Sequence, residues 1–174
     1  MTNQNPSSTA TATEPIFEIE RTFNASRELV FDAWTDPLHL SNWWGPKCFA
    51  CRCEVDLKVG GKYRFTMVGP DGVEYPMRGV YREIVRPERL VMTINVEDHP
   101  AEWHQAICAN LPDKNTKLKE QVMTVTFEDV NGKTHMKVQT RFENVAERDA
   151  FVKIGMTEGW SQSLDKLAEL IAKM

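Results

Sequence analysis

Residues 145–173 limit what this chain can fold into more than any other part of it. Met156, Trp160, Leu164, Leu167 and Ile171 recur at steps of three to four residues, which puts them on one stripe of a helix. Asn144 followed by Glu147 gives a cap-like start, so one long C-terminal helix is predicted over 145–173. A stripe of that length has to be covered by an apolar surface supplied from elsewhere in the chain. Gly155 and Gly159, one turn apart, interrupt it at about 1 kcal/mol each relative to alanine. Either the backbone approaches something closely there, or space is left open.

The upstream sequence offers a sheet with one hidden face. Over residues 16–23, Phe17, Ile19 and Phe23 alternate with Glu18, Glu20 and Thr22, while Arg21 shares the apolar phase and is odd there. Further strands are predicted over 51–57, 62–68, 75–85 and 90–96, punctuated by Gly60-Gly61, Pro70-Asp71-Gly72 and Arg86-Pro87-Glu88. Two more flank an Asn131-Gly132 turn, with Met123, Val125 and Phe127 inward on the first and Met136, Val138, Thr140 and Phe142 inward on the second. Glu128, His135, Lys137, Gln139 and Arg141 take the opposite, wetted face. Short turns between alternating segments predict an antiparallel meander. Two short helices precede it: Ser26 caps one carrying Leu29, Val30, Ala33 and Trp34 before Pro37, and a second runs through Leu40 to Trp44.

Residues 1–13 are small, polar and aperiodic, so a disordered tail is expected, with one domain over 14–174. An insert at about 97–120 holds a helix bounded by Pro100 and Pro112, with Trp103, Ile107 and Leu111 on one face. It is read as a lid over a cavity mouth or as a contact surface. The net charge of −4, with basic residues dispersed among acids, supplies no footprint for nucleic acid or an anionic membrane. No apolar run approaches the roughly 20 residues that cross a bilayer, and no secretory signal opens the chain, so a cytoplasmic location is expected. Cys51, Cys53, Val55 and Leu57 alternate with Arg52, Glu54, Asp56 and Lys58, the pattern of small apolar side chains turned inward. The four cysteines, with Cys48 and Cys108, are therefore read as reduced thiols, and no metal is expected. Gly60-Gly61 lies between strands with no helix opening after it, so it is a turn and not a phosphate cradle, and no cofactor is implied.

Several words of the sequence resemble the activator of heat-shock (Hsp) ATPase homologue-like family of the START/SRPBCC superfamily. They are Val30-Phe31-Asp32-Ala33-Trp34-Thr35-Asp36-Pro37, Trp43-Trp44-Gly45-Pro46, Asp56-Leu57-Lys58-Val59-Gly60-Gly61-Lys62-Tyr63-Arg64-Phe65, Gly79-Val80-Tyr81-Arg82-Glu83-Ile84 and Pro87-Glu88-Arg89-Leu90-Val91. The resemblance runs from about residue 16 to the C-terminus and implies an α+β helix-grip fold, a curved antiparallel sheet around the C-terminal helix. It carries over no single catalytic signature.

The function this reading favours is binding of a small apolar or aromatic molecule between sheet and helix, as a carrier or sensor and not an enzyme. Its expected ligand contacts are Trp43, Trp44, Tyr63, Phe65, Met67, Tyr81, Trp103, Met156, Glu158 and Trp160. Among polar candidates for the interior are Arg21, Arg78 and His104 as well, with Glu158 reaching Arg21 or Arg78. Two alternatives remain open: a stress-response module partnering a chaperone, as the family name implies, and a cyclase- or lyase-like enzyme using Glu158, His104 or Tyr63 as acid or base. The oligomeric state is left at monomer or homodimer.

Overall fold

The computed structural model describes residues 13–174 and the backbone of 8–10. Its strands are β1 (Ser8–Ala10), β2 (Ile16–Phe23), β3 (Ala50–Val55), β4 (Lys62–Val68), β5 (Glu74–Val85), β6 (Arg89–Ile94), β7 (Gln121–Val130) and β8 (Lys133–Arg141). The helices are α1 (Arg27–Thr35), α2 (Pro37–Trp43), α3 (Ala101–Cys108), α4 (Val145–Lys153) and α5 (Met156–Ile171). The strands join in one antiparallel sheet of order β1-β2-β8-β7-β6-β5-β4-β3. The chain thus enters near one end of the sheet, crosses through α1 and α2 to the other, and returns strand by strand. This is the α+β helix-grip architecture.

Local chemistry explains most of the elements. Ser26 accepts a hydrogen bond from the Leu29 amide at the start of α1, and Asp36 accepts from the Leu38 amide to cap α2. Pro37 ends α1 and opens α2, since its missing N–H falls where no helical partner is needed. Asn131 and Gly132, at φ 55° and 81°, make the tight turn that sets the register of β7 against β8. Hidden side chains of β2, β7 and β8, including Ile19, Val125 and Val138, are fully buried with Val30, Phe31 and Trp34 of α1 and Leu164 and Leu167 of α5.

Two expectations need correction. The C-terminal helix is two helices, because Gly155 adopts φ 108°, a left-handed conformation that cannot continue an α-helix. Leu57 lies beyond the end of β3 and is half-exposed instead of inward. Of the tail, residues 1–7 and 11–12 lie outside the described residues, whereas Ser8–Ala10 pair with the otherwise open edge of β2. Arg21 does face inward, and its Nη1 donates to Asp165 Oδ1 on α5 at 2.8 Å. No helix among the described residues is long and apolar enough to cross a membrane.

The sheet's curvature is set in β5. Residues Glu74–Val80 pair with β4, Tyr81–Val85 pair with β6, and the register shifts between Tyr81 and Glu83. A bulge of this kind bends a strand and increases its twist. The bend gives the sheet the concave side on which α5 lies.

Candidate functional site

α5 does not fill the space between itself and the sheet. A cavity of about 260 Å³ remains there, walled by Trp44, Met67, Met77, Ile94, Trp103 and Trp160, with Phe151, the Ile154–Gly155 break and Met156 at the junction of α4 and α5. Gly159 helps to leave it open, whereas Gly155 is required by its left-handed backbone. A Cβ on Gly159 would meet only Pro46 Cγ, at 3.9 Å, and one on Gly155 only Glu158 Oε2, at 3.8 Å. The backbone is not crowded at either position; the missing side chain of Gly159 leaves volume.

Behind the cavity lies an aromatic cluster. Trp34 stacks on Trp160 at 6.1 Å and 19° and meets Trp43 edge-on at 4.9 Å, while Trp44 meets both Phe65 and Trp160. Such pairs hold ring orientations beyond what area burial alone supplies. The wall therefore has a fixed shape.

Against this apolar wall stand a few polar groups. His99 is 9% exposed, and neither of its ring nitrogens has a partner. Its ring lies edge-on to Trp103 at 4.4 Å and to Tyr75 at 5.6 Å. Burial, and secondarily the charge on His104, push its imidazolium from the ordinary 6.5 down to about 4, with Asp98 opposing. Thr140 is wholly buried and its hydroxyl is also unpartnered. Gln121 sits diagonally across from it, since Met123 pairs with Thr140 in the β7–β8 register. Ser163 is satisfied locally, donating to Gly159 O at 3.0 Å.

The His99 shift has a sign that can be tested. Between pH 6.5 and about 4 the unfolded chain binds a proton that the folded chain refuses, so His99 makes stability fall as pH falls through that window. The full effect is roughly 3 kcal/mol. Urea titrations at pH 7 and pH 4.5 should show His99→Phe losing less stability than the parent across that step; equal losses would mean the imidazole is not held neutral. Glu147, whose carboxyl burial pushes upward, acts the other way and loses stability as pH rises.

Five of the expected contacts line the cavity: Trp44, Met67, Trp103, Met156 and Trp160. The other five do not. Trp43 plugs the core and donates to Ala33 O at 2.8 Å; Phe65 packs against Trp44; Tyr63 donates to Thr93 O at 2.5 Å and packs against Tyr81. These side chains do point inward, but the bend in the sheet turns them into closed core beside the cavity. Burial raises the phenol of both tyrosines. Glu158 is exposed, because it lies two residues from both Met156 and Trp160 and so on the opposite side of α5; Asp165 takes Arg21, and Arg78 lies outside with Glu97 and Asp98. His104 Nε2 sits 3.2 Å from Glu97 O. Sequence reasoning missed His99, Gln121 and Thr140 as site residues, although the inward phase of Thr140 was a usable signal.

Trp103 reaches the cavity from α3, touching Phe151 at 5.4 Å, while Ile107 and Leu111 of the same face are buried. Cys51 and Cys53 face inward on β3 with their sulfurs 3.4 Å apart. Their hydrogen bond lowers the Cys51 thiol and raises that of Cys53. Among the described residues no group of three or more His, Cys, Asp or Glu side chains is placed to hold a metal ion.

Residues 24–172 match the family model described as Activator of Hsp90 ATPase homolog 1-like protein. No curated protein sequence matches the chain. Among solved structures, a protein of Arthrobacter aurescens is similar at TM-score 0.80 and 23% identity, over 97% of this chain and 92% of that one. A Rhodobacter sphaeroides protein is similar at 0.78 and 20%, over 97% and 99%. An AHSA1 protein of Silicibacter pomeroyi is similar at 0.67 and 22%, over 90% and 97%. Likeness at these identities concerns the fold.

Proposed function

Because the chain belongs to the Activator of Hsp90 ATPase homolog 1-like family and keeps an apolar cavity under its C-terminal helix, we propose that it binds a small apolar or aromatic molecule there, as a non-catalytic carrier or sensor. The observation that carries this reading is the cavity itself. Its volume of about 260 Å³ is bounded by packed aromatic rings and left open beside Gly159, a position inside α5 where alanine would make the helix more stable. Concave, mostly apolar sites with a few convergent polar groups are the usual form of small-molecule sites.

The other readings draw less support. For an enzyme, the groups named as acid or base are engaged or turned away: Tyr63 bonds Thr93, His104 lies against Glu97, and Glu158 faces solvent. The chaperone reading has the family name behind it. On the outer face of the sheet, however, Lys137 pairs with Glu18 at 3.9 Å and Glu20 at 3.7 Å, and Gln139 donates to Glu18 at 2.6 Å, so these polar groups are partnered within the chain.

The test is to fill the hole. Gly159→Leu should fold, since its Cβ would meet only Pro46 and the rest of the side chain has the cavity to enter, and should abolish saturable binding of naphthalene followed by tryptophan fluorescence. Native mass spectrometry of unstripped wild-type protein should show a bound small molecule that is missing from the variant. Identical behaviour of the two proteins in both measurements, together with retention of the wild type on an immobilised Hsp90-type chaperone, would favour the interaction module.

A further inference from the structure

We propose that the ligand of this cavity is an uncharged bicyclic aromatic compound carrying a hydroxyl or carbonyl group, its rings held among Trp44, Trp103 and Trp160 and its polar group hydrogen-bonded by His99 and Thr140. The proposal rests on reading the cavity as a ligand site and adds the chemistry of what enters it.

Two polar side chains, each more than nine-tenths buried, line the cavity without a hydrogen-bond partner: both ring nitrogens of His99 and the hydroxyl of Thr140. Native chains rarely leave buried polar groups unsatisfied, and each exception calls for a cause. A bound molecule with one oxygen function would partner the Thr140 hydroxyl and one of the two His99 nitrogens. Thr140 and neutral His99 each carry both a donor and an acceptor, so they suit a hydroxyl or a carbonyl equally. Burial keeps His99 neutral at pH 7. No Lys, Arg, Asp or Glu is among the lining residues, so a carboxylate or ammonium would enter without a counter-charge, which is strongly unfavourable. Size follows from volume: a cavity of about 150 Å³ holds benzene, so one of about 260 Å³ admits a second fused ring.

The experiment compares naphthalene, 2-naphthol and 2-naphthoate at pH 7 by calorimetric titration, using wild type, Thr140→Val and His99→Phe. Wild type should prefer 2-naphthol over naphthalene by at least about tenfold, because a site built to bond a hydroxyl discriminates against an analogue lacking it. It should bind 2-naphthoate most weakly. Thr140→Val keeps the shape and removes the orphan hydroxyl, so the unliganded variant should melt no lower than wild type while its preference for 2-naphthol shrinks. His99→Phe should shrink the same ratio with naphthalene binding retained. Equal wild-type binding of naphthalene and 2-naphthol, or a ratio untouched in both variants, would overturn the hydrogen-bonding assignment and leave the cavity as a plain apolar site. Failure of all three compounds to bind would overturn the ligand-site reading with it.

Discussion

Trp34→Ala is expected to destabilise the protein by about 3–5 kcal/mol, the range for removing a fully buried large aromatic side chain. Trp34 is 1% exposed and is among the largest side chains wholly inside the protein. It touches Trp43, Trp44, Phe127 and Trp160, and its Nε1 points at Met136 Sδ, 3.1 Å away. These partners come from α2, the segment after it, β7, α5 and β8, so no single element can collapse into the hole. Guanidinium unfolding of Trp34→Ala beside Trp103→Ala gives the measurement. Trp103 is only half-buried at the cavity edge, and its loss should matter clearly less for stability. A loss below about 1 kcal/mol at Trp34 would mean that the cluster is not packed as described. Because Trp34 stacks on Trp160, the wall of the cavity should also lose its shape, weakening ligand binding even where the variant still folds.

How much of this was legible beforehand depended on whether the signal was local. Alternation in β2, β7 and β8 fixes which side chains are hidden, and the Asn131-Gly132 turn fixes their register, so the sheet and its concave face could be read from neighbouring residues. Trp43 and Trp44 are both expected as ligand contacts from the sequence, yet only Trp44 lines the cavity while Trp43 plugs the core, because adjacent residues at a helix end point in different directions. The break at Gly155 was not legible. Helical spacing continues across it from α4 to α5, and a glycine in sequence does not declare the sign of its φ. The bend in β5 was hidden for a similar reason: Tyr75, Met77, Gly79 and Tyr81 keep perfect alternation through a position where the hydrogen-bonding partner changes. His99 carries no local sequence signal, because its place in the site comes from a long-range event, the packing of the segment around α3 beside the mouth of the cavity. Three of the expected contacts, Tyr63, Phe65 and Tyr81, fell into closed core for one reason. Strand phase says inward, but only the curvature says whether inward means packed or hollow.

That curvature should depend on a single missing methyl group. Gly79→Ala is expected to cost about 3 kcal/mol or more and to prevent folding at physiological temperature. A Cβ built at this position would lie 1.9 Å from the Thr93 carbonyl oxygen and 2.8 Å from Tyr63 Cε1. Neither neighbour is free to retreat. The Thr93 oxygen accepts the Tyr63 hydroxyl at 2.5 Å, and the Thr93 hydroxyl accepts from the Val80 amide at 3.0 Å. One residue before Gly79, Arg78 and Asn95 exchange backbone hydrogen bonds of 3.1 and 2.7 Å, an isolated bridge that brings the two strands together across the bend. Relief of the clash must therefore open that bridge or displace Tyr63 from the core, and either one flattens the sheet that α5 covers. Gly159→Ala is the control, since the same methyl group there meets nothing closer than 3.9 Å and should leave stability unchanged or raise it by about 1 kcal/mol. Circular dichroism melts of the two variants decide the matter: if Gly79→Ala unfolds at the same temperature as Gly159→Ala, the close crossing at Thr93 does not exist, and the concave face must be shaped by something other than the bend in β5.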